Sequence, residues 1–406
     1  LRGPEGGDIA SLRWCYSKPD RLWCGTASGD LCYRDQNEGF WKSVEPPFRP
    51  MMKIETLELT IGARKNLLAV SNQGQLSLTM DQGQTWLRNF PGLQEESVRT
   101  LKQHPLHPGL VFAGTQTGLF CSPDSGLTWQ KFKSRFSQQS VTAMAFHPLD
   151  PLTFFVATTN GFSASVLMTA NGGNTFETLI EGEEYFNQIH TLMYIDATQS
   201  LWVAGSGYGW RVAVANIDDT ITWEAIDHGL PVSAVTCMVA THDNRVIIGS
   251  NGGGIYEYDE PKDVWRRLDI EPRRRYVRCL AASCCGLAAG FSENGVAIEN
   301  NSDWIDSNQQ LYARNISRIQ RSGEELIIVS DEQLFIRDKD KQWNLLSGFQ
   351  LVQDVLSHGN TSYTSGLYSG IFSRYDMGQP WENLDLPVSR AVLVRTTSRG
   401  KLHVLT

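Results

Sequence analysis

The chain lacks the features that would place it in several large classes of protein. No stretch of its 406 residues reaches 18 apolar residues, so the sequence predicts no transmembrane helix. Its net charge is -8, which argues against nucleic-acid binding through bulk charge because such binding needs a basic surface. It has no H-E-x-x-H motif, no P-loop and no nucleophile elbow, so the commonest catalytic signatures are absent.

A disulfide framework is also missing. The eight cysteines lie mostly in apolar, strand-like runs, and no two of them form a C-x-x-C pair. We interpret them as small buried residues in a reducing compartment, and we predict a soluble, cytoplasmic protein without membrane insertion. The chain opens Leu1-Arg2-Gly3-Pro4, with no initiator Met and no signal peptide. We therefore expect it to be a piece of a longer protein, and its targeting is left open.

What the chain does contain is a regular aromatic position. A Trp, or in one case a Phe, recurs at intervals of 38 to 47 residues. These residues are Trp41, Trp86, Trp129, Phe176, Trp223, Trp265, Trp304, Trp343 and Trp381. A large aromatic at such a period indicates an array of one supersecondary unit.

Each unit reads as four short strands. It begins with an apolar run of the type Val/Ile-x-small-Leu, which we name the inner strand. A second strand, a glycine-rich loop, a third strand, a tight turn and an outer strand with the aromatic follow. No 3.6-residue period persists over three turns, so helices are not predicted. Four antiparallel strands in about 40 residues are typical of one β-propeller blade.

The predicted fold is therefore an all-β propeller with four-stranded antiparallel blades. Nine complete repeats occupy residues 9–389 and begin near residues 9, 54, 98, 141, 189, 235, 277, 316 and 352. Residues 1–8 form an N-terminal lead-in, and residues 390–406 form a partial tenth repeat or closing strands. A single wide ring and a split into two smaller arrays both fit this pattern.

The turn before the aromatic carries a sharper motif, S/T-x-D-x-G-x-T-W. Complete copies span residues 79–86 and 122–129, and a third copy at 169–176 has Asn for Asp and Phe for Trp. We expect the Asp or Asn oxygen to accept backbone N–H groups of its own turn. The Gly supplies a positive φ, and the aromatic packs between sheets. The residues in these structural roles are Asp81, Gly83, Trp86, Asp124, Gly126, Trp129, Asn171, Gly173 and Phe176.

This motif matches the Asp box, and the chain resembles the Asp-box, or BNR-repeat, β-propellers. That superfamily includes sialidases, xyloglucanases, sortilin-type receptors and photosystem II assembly factors. The resemblance is to the assembly-factor and sortilin-type propellers in particular. It implies that the boxes belong to the scaffold and that functional residues lie on the opposite face, at the mouth of a central channel.

We expect the residue after the start of each inner strand to line the rim of this channel. In chain order these residues are Ala10, Glu55, Arg99, Thr142, His190, Thr236, Arg278, Ser317, Gln353 and Arg390. Three arginines and a histidine among them are predicted to converge on an anionic or carbonyl group. The alternative is a solvated rim of arbitrary polar residues.

Further binding candidates lie in loops predicted on the same face. The aromatic candidates are Phe162, Tyr208, Trp210, Phe291 and Tyr368. A cluster of arginines in a loop between repeats includes Arg273, Arg274 and Arg275. Exposed aromatics and arginines are typical of binding hot spots. For the arginine cluster, the alternative is a solvated loop paired with neighbouring acidic residues.

Two functions follow as hypotheses. The first is a non-catalytic binding module, a sensor or assembly-factor part of a larger protein or complex, that recognises a protein or peptide with an acidic or carboxylate feature. The alternative is an Asp-box glycoside hydrolase of the sialidase type, which needs two carboxylates at one cleft. Glu55 and Asp354 are the nearest candidates for such a pair. We favour the first hypothesis and predict no catalytic residue, no metal and no cofactor.

Overall fold

The chain divides into two compact units. One consists of Asp8–Leu311, and the other of Leu1–Gly7 together with Tyr312–Thr406. The boundary between Leu311 and Tyr312 lies a few residues before the eighth predicted repeat, which begins near residue 316. The computed structural model describes residues 5–15, 21–60, 66–132, 138–181, 186–206, 212–217, 221–231, 233–268, 270, 274–283, 286–292, 294–300, 303–309, 311–313, 316–322, 325–330, 333–337, 343–346, 349, 351–358, 360–367, 370–375, 379–386, 393–396 and 402–405.

The larger unit, Asp8–Leu311, contains seven antiparallel sheets among its described residues. We name them blades 1 to 7 in chain order. The inner strands are Ile9–Trp14, Ile54–Leu59, Val98–Gln103, Ser140–Phe146, Gln188–Ile195, Val235–Ala240 and Val277–Ser283. The second strands are Arg21–Thr26, Leu67–Ser71, Val111–Thr115, Phe154–Thr159, Ser200–Ser206, Val246–Ser250 and Gly286–Phe291.

Two further strands complete six of the blades, and a third strand alone completes blade 2. The third strands are Leu31–Asp35, Leu76–Thr79, Gly118–Ser122, Ala164–Thr169, Val212–Asn216, Gly254–Asp259 and Gly295–Asn300. The outer strands are Lys42–Ser43, Gln130–Lys131, Glu177–Ile180, Trp223–Ala225, Val264–Arg267 and Asp303–Asp306. In blade 2 a single bridge between Leu78 and Leu87 takes the place of the outer strand.

The fold is all-β. Short runs rich in β-branched and aromatic residues favour strands over helices, and the helices in the described residues are two single 3₁₀ turns, Asp196–Thr198 and Glu260–Lys262. None of the helices described is long and apolar enough to cross a membrane. The core lies between neighbouring sheets, as where Phe155 and Val166 of blade 4 join the buried cluster that contains Leu192 and Leu201 of blade 5.

A β-bulge marks the same position in all seven blades. In each blade, the second residue of the Val/Ile-x-small-Leu run has no partner in the ladder between the inner and second strands. The skipped residues are Ala10, Glu55, Arg99, Thr142, His190, Thr236 and Arg278. A bulge leaves one residue out of the ladder and re-aims its side chain. Each blade therefore presents one such side chain at the start of its inner strand.

A glycine opposite the bulge lets neighbouring blades approach closely. A Cβ on Gly114 of blade 3 would lie 2.6 Å from the Val141 side chain of blade 4, and one on Gly249 of blade 6 would lie 2.4 Å from Val277 of blade 7. The same contact joins the last blade to the first, since a Cβ on Gly290 would lie 2.5 Å from Ile9. The seven sheets therefore form a closed ring.

The periodic tryptophans join successive blades. The Trp265 Nε1 donates to the Ile226 carbonyl of the preceding blade at 2.7 Å, and Trp223 donates to Leu179 in the same way at 3.0 Å. In blade 1, the Trp41 Nε1 donates to the carbonyl of Ser307, which directly follows the outer strand of blade 7, at 2.6 Å. The indole of Trp41 thus makes, across the interface that closes the ring, the same hydrogen bond that Trp223 and Trp265 make between consecutive blades.

The Asp boxes are hairpin turns organised by one carboxylate. Asp124 Oδ1 accepts the Thr128 N–H at 2.8 Å, and its Oδ2 accepts the Thr128 hydroxyl at 2.7 Å. Gly126 and Gly83 have φ of 94° and 89°, a region that only Gly reaches at low cost. In the third box, Asn171 Oδ1 accepts the Thr175 N–H at 2.9 Å while its Nδ2 donates to the Thr175 hydroxyl at 2.8 Å. An amide can therefore replace the carboxylate.

We expect Asp81→Asn to be nearly neutral at pH 7 but to change the acid sensitivity of the protein. Hydrogen bonds, first from the Thr85 hydroxyl, lower the pKa of Asp81 to about 2. A carboxylate with a lowered pKa adds stability that is complete above its unfolded pKa of about 3.9 and is lost as pH falls towards 2. Urea unfolding at pH 7 should show a change within about 0.5 kcal/mol, as for surface substitutions.

The same titration carried from pH 7 to pH 2 is the informative measurement. Below pH 4 the wild type should lose more stability than Asp81→Asn, because the amide does not titrate. Parallel stability curves for the two proteins over this range would contradict the assigned role of the Asp81 carboxylate.

The smaller unit contains shorter stretches of the same pattern. Gly6–Gly7 pairs in parallel with Tyr312–Ala313. Two four-stranded sheets follow, formed by Ile316–Ser322, Glu325–Ser330, Gln333–Arg337 and Trp343–Leu345, and by Val352–His358, Thr361–Gly366, Gly370–Tyr375 and Glu382–Asn383. Leu393–Thr396 pairs antiparallel with Leu402–Leu405. The predicted limits of one array at residues 9 and 389 stay a prediction.

Candidate binding site

The seven bulged residues of the larger unit line one cavity of about 660 Å³, which we name the polar mouth. It lies where the inner strands begin, and residues such as Asn72 and Thr159 from the second-strand side complete its wall. The third strand runs parallel to the inner strand, so the Asp boxes that follow it stand at the opposite end of the blades. The larger unit thus brings together its seven predicted rim residues. Ser317 and Gln353 stand at the corresponding bulges of the smaller unit.

Most of the charged groups at the polar mouth already have partners. The carboxylate of Glu55 is 2.9 Å from the Lys53 Nζ. The Arg278 Nε donates to the Ser292 hydroxyl at 2.6 Å and lies 4.0 Å from Asp8. Burial raises the pKa of Asp8, and the charge of Arg278 opposes that rise. These pairs reduce the capacity of Glu55 and Arg278 to bind a further ion.

Arg99 differs from these residues. Its side chain is exposed and lines the polar mouth. Within the part of the chain that the structure describes, its guanidinium makes no ion pair and no hydrogen bond. A guanidinium presents several N–H donors in a fixed plane that matches a carboxylate or phosphate. Arg99 is therefore the cation at this mouth with free capacity for an anionic ligand.

His190 contributes as a neutral group. Its Nε2 lies 3.5 Å from the Ser206 hydroxyl, and desolvation lowers its pKa from the usual 6.5. The imidazole is therefore mostly uncharged at pH 7. It therefore offers one hydrogen-bond donor and one acceptor to a ligand, and the convergence of three arginines and this histidine stays a prediction.

Exposed apolar side chains lie on loops at the same end of the blades. Phe162 is 81% exposed, in a turn where the Asn160 Oδ1 accepts the N–H groups of Phe162 and Ser163. Tyr276, 51% exposed, directly precedes the inner strand of blade 7, and Met51, 49% exposed, lies three residues before that of blade 2. Sequence reasoning missed these two, although their position just before an inner strand is a usable signal. The mouth thus combines a cation with apolar edges.

Two predicted binding residues are buried instead. Arg274 is 4% exposed, its Nη2 lies 2.9 Å from an Asp306 oxygen, and its guanidinium is 5.4 Å from the centroid of the Phe291 ring. Phe291 is fully buried. The prediction that both are exposed is wrong, because the ion pair and the ring hold the arginine inside blade 7. Arg275 is exposed, and its carbonyl accepts the N–H groups of Gly252 and Gly254.

Several other predictions cannot be placed. Tyr208, Trp210, Arg273, Tyr368 and Arg390 lie outside the described residues.

The carboxylates do not assemble a glycosidase pair at this mouth. Glu55 is the one carboxylate among the described residues that line the cavity. Asp354, the second candidate, belongs to the smaller unit, is fully buried and lies 2.9 Å from the Arg318 Nε. A buried, ion-paired carboxylate is poorly placed to attack or protonate a sugar.

Comparison with known proteins agrees with this architecture. Residues 74–199, which include all three boxes, match the family model described as Sortilin, neurotensin receptor 3. No curated protein sequence matches the chain. Among solved structures, an ancestral GH74 enzyme is 15% identical with a TM-score of 0.62, over 97% of this chain and 57% of its own. PorZ of Porphyromonas gingivalis, an essential surface component of the type-IX secretion system, is 10% identical with a TM-score of 0.58, over 100% of this chain and 56% of its own.

A third similar structure is a propeller from yeast. Sqt1 of Saccharomyces cerevisiae is 14% identical with a TM-score of 0.53, over 82% of this chain and 95% of that chain. At these identities the likeness concerns the fold. The chain thus has a β-propeller fold, and its blades carry Asp boxes. The chain spans less than two thirds of the length of the GH74 enzyme and of PorZ.

Proposed function

We propose that the chain is a non-catalytic binding module whose polar mouth takes a carboxylate of a protein or peptide partner. The observation that carries this proposal is Arg99, an exposed guanidinium without a partner among the described residues at a cavity lined by one bulged side chain from each blade. A bidentate arginine–carboxylate pair is a strong and directional contact. An acidic residue or a free C-terminus of the partner would supply the carboxylate.

The size and edges of the polar mouth favour a peptide segment. A cavity of about 660 Å³ accommodates a few side chains and not a folded domain, so the partner would insert a loop or a terminus. Phe162, Met51 and Tyr276 supply apolar contacts at the edge, and a charged anchor surrounded by aromatic side chains is the usual composition of a hot spot. His190 would add a neutral hydrogen bond.

We also propose that the module works in a reducing compartment such as the cytoplasm. The six cysteines in the described residues are free thiols. Burial raises the pKa of Cys32 to about 11 and that of Cys237 to about 12, so these thiols are unreactive at neutral pH.

A peptide array tests the proposed function. The purified chain is applied to arrayed peptides with internal acidic, free C-terminal and amidated neutral ends, and bound peptides are then titrated by calorimetry. We expect binders to carry a carboxylate. Arg99→Glu should weaken their binding by at least about tenfold, since a charged hydrogen bond is worth about 1.5–3 kcal/mol and the new carboxylate repels the ligand.

The matched control for this variant is Lys131→Glu, a charge reversal of an exposed residue on the outer strand of blade 3. It should leave both affinity and melting temperature unchanged. Equal binding of carboxylate and amidated peptides, or equal loss in the two variants, would overturn the assignment. Turnover of sialyl or β-glucan substrates by the same preparation would overturn the non-catalytic proposal and favour the glycosidase alternative.

A further inference from the structure

The rim of the polar mouth has two halves that differ in how their polar groups are used. On the half formed by blades 6, 7, 1 and 2, these groups are bonded within the protein. The Thr236 hydroxyl donates to the Val277 carbonyl of the next blade at 2.8 Å. Arg278 and Glu55 have the partners given above, and Ala10 is apolar. The hydrogen-bonding capacity of this half is therefore mostly used.

The half formed by blades 3, 4 and 5 keeps its polar groups available. Arg99 of blade 3 has no partner among the described residues, as shown above. The Thr142 Oγ1 of blade 4 is shielded from water and has no hydrogen-bond partner in the described part of the chain. The His190 Nε2 of blade 5 lies 3.5 Å from the Ser206 hydroxyl, at the outer limit of a hydrogen bond. Three consecutive blades thus present groups that lack a strong partner.

The two threonines of the rim show this difference most clearly. Thr142 and Thr236 occupy the same bulged position in blades 4 and 6 and are both half-buried, yet only Thr236 has its hydroxyl bonded. A shielded hydroxyl without a partner is unfavourable. Rotation of about 120° about χ1 exchanges the hydroxyl and methyl positions of a threonine, so the Thr142 hydroxyl can turn into the mouth that its side chain lines. There it would donate to a carboxylate paired with Arg99 on the neighbouring blade.

An exposed aromatic ring stands on the same half. Phe162 belongs to the turn that follows Thr159, a lining residue of the polar mouth, and it is 81% exposed. Hydrogen bonds hold this turn, because the Thr159 hydroxyl donates to the Ser163 carbonyl and accepts the Gly161 N–H, both at 3.0 Å. A ring that is held in place but not packed offers apolar contact area to a ligand at a small loss of conformational entropy.

We infer that the ligand of the polar mouth lies on the half formed by blades 3, 4 and 5 and is an acidic residue with a large apolar residue close to it in sequence. The carboxylate would bind Arg99 and Thr142, and the apolar side chain would pack on Phe162. Neighbouring sheets lie about 10 Å apart and an extended peptide advances about 3.3 Å per residue, so the apolar residue stands within about three positions of the acidic one. This inference rests on the function proposed above and names the partner segment more closely.

Peptides with one acidic residue and one leucine test this inference. The leucine is placed at successive positions on either side of the acidic residue, alanine replaces it in the matched peptide, and affinities are measured by calorimetry. We expect the leucine to tighten binding at least about fivefold at a spacing of up to about three residues. Phe162→Ala should remove this gain and should change binding of the alanine peptide less than about twofold. A residue with a structural role alone would weaken both peptides equally.

The two threonines provide the second comparison. Thr142→Val should weaken binding of both peptides at least about fivefold, as expected for a hydrogen bond to a charged group, without lowering the melting temperature. Thr236→Val should lower the melting temperature, because its hydroxyl is bonded, and should cost clearly less affinity.

The outcomes separate this inference from the proposed function. If no acidic peptide binds the wild type, both fail. If acidic peptides bind through Arg99, this inference alone fails in any of three cases: leucine brings no gain at any spacing, Phe162→Ala weakens both peptides equally, or Thr236→Val costs as much affinity as Thr142→Val.

Discussion

Trp41→Ala should lower the free energy of unfolding by about 3–5 kcal/mol, the range for removal of a buried large aromatic. Trp41 is 2% exposed, so truncation leaves a cavity between blades 7 and 1. It also removes the hydrogen bond to the Ser307 carbonyl. Because this interface closes the ring, the loss should appear as a lower midpoint in urea and a lower melting temperature.

Trp86→Ala is the matched comparison for this prediction. Trp86 occupies the same repeat position and donates to the Glu45 carbonyl at 2.9 Å, but its ring is only half-buried. Its loss should therefore cost clearly less than that of Trp41, whereas Trp129, which is 3% exposed, should behave like Trp41. Trp41→Phe should cost about 1–2 kcal/mol, mainly from the lost hydrogen bond. Equal losses at Trp41 and Trp86 would contradict an interface role set by burial.

The sequence was sufficient to predict the blade and the position of its rim residue. The Val/Ile-x-small-Leu run recurs because the first residue of an inner strand packs against the second strand of the blade before it, at a glycine in four of the seven interfaces, as Val141 does against Gly114. The next residue is bulged, so its side chain is free from packing and can vary from blade to blade. Regular positions are thus scaffold, and the position between them, occupied by Arg99 in blade 3, can vary.

The sequence did not predict that the ring closes after seven blades, because the repeat pattern continues without interruption. The contact of Gly290 with Ile9 uses the same residue types as the contact between consecutive blades, so the seventh repeat looks no different from the others. Closure depends on the angle accumulated between sheets, and no single residue encodes that angle. For this reason, the aromatic period predicted the number of repeats but not where the larger unit ends.

Side-chain exposure was the least predictable property. The arginine cluster suggested a charged surface, yet Arg274 pairs with Asp306 beside the Phe291 ring. Conversely, Lys102 and Glu58 read as ordinary charges within strands. They lie near each other because the inner strands of successive blades converge on one axis, which also brings Arg13 of blade 1 within 2.6 Å of Glu58.

Arg13→Met should destabilise the protein because it leaves the buried Glu58 carboxylate without its ion-pair partner. Glu58 is 2% exposed, and Arg13 is its ion-pair partner at 2.6 Å. Removal of one partner of a buried pair typically costs about 3–5 kcal/mol. At pH 8 we expect a loss at the lower end of this range, because the positive charge of Lys102 in blade 3 also stabilises the ionised Glu58 carboxylate. Chemical unfolding measured by circular dichroism would show this loss.

The pH dependence separates this cause from lost packing. Burial raises the pKa of Glu58, and the charge of Arg13 opposes the rise, so Arg13→Met should raise that pKa further. A carboxyl with a raised pKa contributes stability that is fully present below its unfolded value of about 4.3 and is lost as pH rises through the folded value. The defect of Arg13→Met should therefore be small near pH 4 and grow towards pH 8. Adding Glu58→Gln should remove most of this increase of the defect with pH, since an amide carries no charge. A defect of the same size at pH 4 and pH 8 would instead assign the effect to lost packing of the Arg13 side chain.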